Sequence, residues 1–208
     1  MFVDLPSSGV LASHDFQRRL LLLDEDDVLT RDRERPDDPI AGPHVHQIVS
    51  QYEASLARAL RSNDVEHGRT IVRQFEEEAM LNTESEWEKN YVRCLALSAD
   101  LFVLCNLDGD VREAAAVADQ LVALPTHTRM AQLWQLAAFA GYCKKKDRAE
   151  LAWPALLSAV RRVEIEIPDH HRWITHREYF YDIIDKLWSS IPEPERLKLE
   201  QHTTHARK

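Results

Sequence analysis

Gly109-Asp110-Val111-Arg112-Glu113-Ala114, with Phe102 and Cys105 upstream and Ala118 downstream, is the stretch whose reading decides the fold. An acidic turn separates an apolar run from a run of small residues, and the same arrangement returns at Asn63-Asp64 and at Lys146-Asp147. Aligned on Asp64, Asp110 and Asp147, the chain brings Leu56, Phe102 and Phe139 together eight residues upstream, and Ala59, Cys105 and Tyr142 five upstream. Gly68, Ala114 and Leu151 coincide four residues downstream, and Val72, Ala118 and Ala155 eight downstream. Apolar residues three to four apart on both sides of a polar turn predict two antiparallel helices packed face to face. Three such units, at spacings of 46 and 37 residues, predict an array of helix pairs.

The pairs are expected at 44–62 with 65–80, 84–107 with 111–124, and 127–145 with 148–164. In the first, Leu56, Ala59 and Leu60 should face Ile71, Val72 and Phe75. Thr83 with Glu86 forms a capping-box pattern, Pro125 stops the second pair, Asp147 is expected as an N-cap, and Pro154 is expected to kink its helix. An array must cover the apolar face of its last unit. A helix over about 170–191, with Trp173, Phe180, Ile184, Leu187 and Trp188 on one stripe, fits that task. Pro192 and Pro194 should end it, leaving a charged tail that frays. Residues 1–43 differ from this body: Ser13-His14-Asp15 can cap a short helix from Phe16 to Leu23, and Val28–Arg31 reads as a short strand. Asp32 to Pro43 reads as a linker. The domain reading is an N-terminal arm at 1–43, a helical domain at 44–191 and a tail at 192–208.

Composition agrees with an all-α protein. The 208 residues are 44% apolar, enough for a continuous core, and include only five glycines. The formal charge is −9, with 35 acidic against 26 basic residues, which makes the chain as a whole a poor polyanion binder. Apolar runs fall far short of the roughly 18 residues of a membrane span, and the opening Met1-Phe2-Val3-Asp4 lacks a secretory pattern. The expected compartment is the cytoplasm. Cys94, Cys105 and Cys143 lie in apolar runs without short paired spacing, and read as buried small hydrophobes rather than redox or metal groups.

Chemistry-bearing motifs are sparse. Asp169-His170-His171 follows a proline and reads as a helix start, not as a phosphoesterase motif after a buried strand. Asp64-Val65-Glu66-His67 holds one carboxylate-x-x-His element where a bundle di-metal site needs two. The five glycines, at 9, 42, 68, 109 and 141, are too scattered to cradle a phosphate. No catalytic residue, metal ligand or cofactor is assigned, and the chain is not expected to be an enzyme. Surface remains. Among Trp87, Trp134, Trp153, Trp173 and Trp188 most should be core. Trp87 is the expected exception, because Glu86, Glu88 and Lys89 surround it in a first helical turn. Trp87, Glu86 and Lys89 are the candidate partner-binding residues.

Several segments in order carry a family resemblance. They are His44-Val45-His46-Gln47-Ile48, Ala59-Leu60-Arg61-Ser62-Asn63-Asp64 and Glu86-Trp87-Glu88 with Arg93 and Leu97. Next come Gly109-Asp110-Val111-Arg112-Glu113-Ala114, Leu121 to Pro125, Trp134-Gln135-Leu136, and Gly141-Tyr142 before Lys146-Asp147-Arg148-Ala149. From His44 to about Asp185 the chain resembles the bacterial transcriptional activator domain, the tetratricopeptide-like regulatory half of the antibiotic regulatory protein family. Val163 to Pro168 is similar to that domain's closing Gly-x-x-Pro segment, with Ile165 in place of the glycine. The resemblance implies tetratricopeptide-like helix pairs and a role in transcription regulation. It also implies a protein partner, such as the transcription machinery, or self-association.

Upstream, Asp15 to Leu21 and Val28 to Arg31 are similar to the end of a recognition helix and the wing of a winged-helix DNA-binding domain. Arg18, Arg19 and Arg31 would then face DNA. Two departures oppose this. About a dozen residues precede that helix, too few for the leading elements of such a domain, and residues 14–38 hold nine acids against five arginines where a DNA reader should be basic. The expectation is therefore a protein-interaction module. The alternative is a DNA-binding regulator whose truncated winged helix is completed by a partner chain.

Overall fold

The computed structural model describes residues 43–125, 129–166, 168–169 and 171–198, and all regular structure among them is helical. The expected arm helix, strand and linker, with Arg18, Arg19 and Arg31, lie outside the described residues. Among the described residues the longer helices run as α1 (Pro43–Ser62), α2 (Val65–Leu81), α3 (Glu86–Asn106), α4 (Val111–Ala123), α5 (Arg129–Lys145), α6 (Trp153–Glu166) and α7 (His171–Lys186). Short 3-10 turns fill Ala149–Leu151 and Trp188–Ser190, and residues 193–198 are helical again. Each helix packs on its successor, and α1, α3, α5 and α7 also pack in series. No described helix is long and apolar enough to cross a membrane.

Helix α3 is the spine. Its Cys94, Leu101 and Leu104 enter a core shared with α4 to α7, while Val92, Leu95, Ala96, Ala99 and Val103 enter a second core with α1 and α2. That explains a 21-residue helix with ten buried positions: it is apolar on two faces because it is covered on two faces. Leu56, Ala59, Leu60, Ile71, Val72 and Phe75 share the second core as the sequence predicts. Trp173, Phe180, Ile184 and Leu187 are buried and close the far end.

The three hairpins close on one turn. Asn63, Asp108 and Asp147 hold positive φ angles of 56°, 59° and 56°. In each case the next residue's N–H returns to the carbonyl five residues back: Asp64 to Ala59 (3.4 Å), Gly109 to Leu104 (2.8 Å) and Arg148 to Cys143 (2.8 Å). This is the Schellman termination, in which one left-handed residue lets the last carbonyls find donors. Asparagine and aspartate accept that conformation at less cost than other non-glycine residues.

The turn geometry corrects the expected register. Asp64 and Asp110 are N-caps, accepting from His67 N–H (2.9 Å) and from Arg112 and Glu113 N–H (2.8 and 3.0 Å). Asp147 is not an N-cap; it is the left-handed residue, equivalent to Asn63 and Asp108. Gly109 lengthens the middle turn by one residue, so no single aspartate aligns all three units. Counted back from the left-handed residue, Leu56, Leu101 and Ala140 coincide, as do Ala59, Leu104 and Cys143, and all six are buried. Counted forward from the residue before each second helix or 3-10 turn, Gly68, Ala114 and Ala152 coincide, as do Val72, Ala118 and Leu156, again all buried.

Three smaller expectations also change. Ser85, not Thr83, caps α3, accepting from Glu88 N–H at 3.1 Å, with its hydroxyl 3.3 Å from the Glu88 carboxylate; Thr83 instead donates to the Met80 carbonyl at 3.1 Å. Pro154 does not kink a helix, because α6 begins at Trp153 and a proline in a first turn forfeits no helical hydrogen bond. Pro192 precedes helical residues 193–198, its carbonyl accepting from Glu195 and Arg196 N–H at 3.0 Å each, and the rest of the expected tail lies outside the described residues.

Polar ties join neighbouring units. Arg69 of α2 donates to Asp100 of α3 at 2.9 Å and to Glu113 of α4 at 2.5 Å. Lys146 pairs with Asp108 at 2.6 Å, and the Tyr142 hydroxyl donates to the Gly109 carbonyl, docking the third turn on the second. Arg162 of α6 donates to the Val122 and Leu124 carbonyls and so satisfies the end of α4.

Candidate functional site

Trp87, Glu86 and Lys89 sit together in the first turns of α3, yet they do not form one surface. Glu86 and Lys89, three residues apart, share a face and pair at 2.7 Å. The hydrogen bond from Lys89 holds the exposed Glu86 carboxyl below the ordinary glutamate range. Trp87 lies about 100° further round the helix. It is half-buried against the α1–α3 core, with its ring stacked on Tyr91 at 5.4 Å and 9°. Tyr91 is itself buried, which drives its hydroxyl pKa upward.

The most exposed of the five tryptophans is a different one. Trp134 of α5 retains 36% of its surface, whereas Trp173 retains 3% and Trp87, Trp153 and Trp188 are half-buried. Trp134 packs on α7: its ring centre is 5.3 Å from His176, 5.1 Å from Tyr179 and 5.1 Å from Phe180. Phe180 is fully buried and anchors the group, while Tyr179 keeps 37% exposure. Beyond Trp134 on the same face of α5, four, seven and eleven residues on, come Ala138, Gly141 and Lys145. Ala138 and Lys145 are exposed, and a Cβ added at Gly141 would meet no atom within 4 Å. The corresponding flank of α7 carries His176, Tyr179, Ile183 and Lys186, the last paired with Asp182. Trp134 and Tyr179 thus form a half-open aromatic edge where α5 meets α7.

Helix periodicity conceals this surface in the sequence. Leu133, Leu136, Phe139 and Ala140 are buried around the same helix, so α5 is apolar on nearly every side and Trp134 reads as core. The legible signal is the row of small residues after the tryptophan. Of α1 to α7, moreover, α5 alone carries no carboxylate.

Two of the three cysteines are buried as the sequence predicts. Cys94 and Cys143 are buried and Cys105 is half-buried. Burial drives the Cys105 thiol upward and pushes Cys143 to about 12, so neither supplies a thiolate nucleophile at neutral pH. Among the described residues no group of three or more His, Cys, Asp or Glu is placed to hold a metal ion. No family model, curated protein or solved structure matches the chain.

Proposed function

We propose that this chain is a tetratricopeptide-like helical-repeat module that binds a protein partner and acts in bacterial transcription regulation in the cytoplasm. The observation that carries the reading is an array of similar hairpins that leaves an aromatic group, Trp134 with Tyr179, half-open at its surface. Stacked helix pairs offer extended faces to other chains, and exposed tryptophan and tyrosine are the residue types that anchor such contacts. The partner is another protein or a second copy of this chain. The Glu86–Lys89 pair and, on a different face of α3, the half-buried Trp87 are further candidate contacts. No catalytic step and no cofactor enter this reading. A net charge of −9 opposes docking on phosphates, because non-specific binding to DNA depends on many lysine and arginine contacts.

Electrophoretic mobility of duplex DNA with the purified chain, across a range of salt, tests the reading. The expected result is no retarded band at physiological salt. Binding to a specific promoter, lost on changing Arg18 and Arg19 to Ala, would overturn it in favour of a DNA reader completed by a partner chain.

A further inference from the structure

We infer that residues 16–23 of the N-terminal arm fold back onto the corner where α2 ends and α3 begins, their leucines on Leu81 and Trp87 and Arg18 and Arg19 on the glutamates around them. The inference goes beyond the interaction-module reading and does not depend on it.

Four observations support it. First, the arm joins the array at this corner. Tyr52 of α1 meets Phe75 and Glu78 of α2, its hydroxyl donating to the Glu78 carboxylate at 2.7 Å, so the two helices run antiparallel. Pro43, the first residue of α1, therefore stands at the same end as Leu81 and Glu86. The nineteen residues between Leu23 and Pro43 reach about 25 Å as a flexible coil, and so short a tether keeps the segment at a high effective concentration over the corner. Second, the corner is apolar and open. Leu81 keeps 88% of its surface, more than any other large hydrophobic residue among those described, and Met80 and Trp87 are only half-buried on the second core. Third, the charges are complementary. Residues 76–89 hold six glutamates and one lysine, and that lysine, Lys89, is already paired with Glu86. Glu77 and Glu84 are exposed and make no ion pair among the described residues. The last turn of α2 has no basic residue, so the negative pole of its dipole adds to the glutamates instead of being offset. Residues 16–23 bring two arginines and no acid. Fourth, the segment itself needs cover: Phe16 and Leu20 to Leu23 are five large apolar residues in eight, and burial against the corner removes them from water. The acids Asp24 to Asp27, just beyond the leucines, stay in solvent.

Photocrosslinking in the full-length chain tests the proposal. A benzoylphenylalanine at position 81 puts a reactive apolar group where Leu81 already faces solvent, and the same group at the exposed Leu197 serves as control. On irradiation, position 81 should become joined to residues 16–23 of the same chain, located by mass spectrometry of the digest, and position 197 should not. Arg18→Glu with Arg19→Glu should lower the yield at least about fivefold, as should Glu77→Lys with Glu84→Lys, and all four changes together should restore most of it. The proposal fails if position 81 captures no residue of 16–23 or if position 197 captures them equally well. It also fails if the charge reversals leave the yield unchanged or if combining them brings no recovery. A product of twice the chain mass would assign the corner to a second copy of the chain and overturn the proposal too.

Discussion

Replacing Gly68 and Gly141 with alanine separates packing from helix propensity in one experiment. Both glycines lie inside helices, so both substitutions gain about 0.5–1 kcal/mol from restricting the unfolded chain and improving propensity. Their surroundings differ. A Cβ at Gly68 would stand 2.9 Å from Val103 Cγ1 and 3.3 Å from Cγ2, whereas one at Gly141 would meet nothing within 4 Å. Carbon atoms pack best at about 3.5–4.0 Å. Val103 is fully buried in α3, and a valine in a helix has one strongly preferred rotamer, so it cannot swing aside cheaply. Overpacking of this kind costs about 1–3 kcal/mol. Gly141→Ala should therefore stabilise the protein by about 0.5–1 kcal/mol, and Gly68→Ala should fall below it by about 1–3 kcal/mol. Urea unfolding followed by circular dichroism measures both, with unchanged slopes showing that only stability moved. In a Val103→Ala background the Gly68 substitution should turn from a loss into a gain. Equal stabilisation by both substitutions would refute the close approach of α2 to α3 at Val103.

Other substitutions probe the same packing. Ala114→Asp buries a carboxylate at a position with no exposed surface and should lower stability by at least about 2 kcal/mol; an unchanged thermal melt would show that the α4 register is wrong. Ser98→Ala removes a buried hydroxyl that has no hydrogen-bond partner among the described residues, and should raise stability by about 1 kcal/mol in urea unfolding. Burial raises the Glu76 carboxyl pKa above its ordinary 4.5, so the folded state binds its proton more tightly and this group's contribution falls as pH rises through and above that value. Glu76→Gln should then be more stable than wild type at neutral pH, and the advantage should vanish in acid. Melts across pH that show the reverse trend would contradict that burial.

The helix pairs were legible because their spacing is periodic: Leu56, Ala59, Ile71, Val72 and Phe75 mark facing stripes whatever the turn does between them. The turn register was not. Aspartate serves both as an N-cap, as Asp64 and Asp110 do, and as a left-handed residue, as Asp108 and Asp147 do, and the one-dimensional pattern does not separate these uses. The positive φ of Asp147 and the return of the Arg148 N–H to the Cys143 carbonyl show which role Asp147 has. Thr83 and Ser85 pose the same ambiguity two residues apart, each followed three residues later by a glutamate. The candidate surface was harder to read. Trp87 is flanked by charge in sequence, yet helix geometry turns it away from Glu86 and Lys89 and onto Tyr91. Trp134 is flanked by apolar residues, yet it stands at the edge where α5 meets α7. Local charge reports the neighbours along the chain, while exposure depends on which helices arrive later.

The claim that three stacked hairpins close on one common turn is tested most directly by amide hydrogen exchange, resolved by residue in the labelled protein. The Gly109 and Arg148 amides, each 2.8 Å from its acceptor carbonyl, should exchange orders of magnitude more slowly than an unprotected chain. Asp64, at 3.4 Å, should be protected but less so. Exchange of all three at unprotected rates would contradict the shared turn and the stacking built on it.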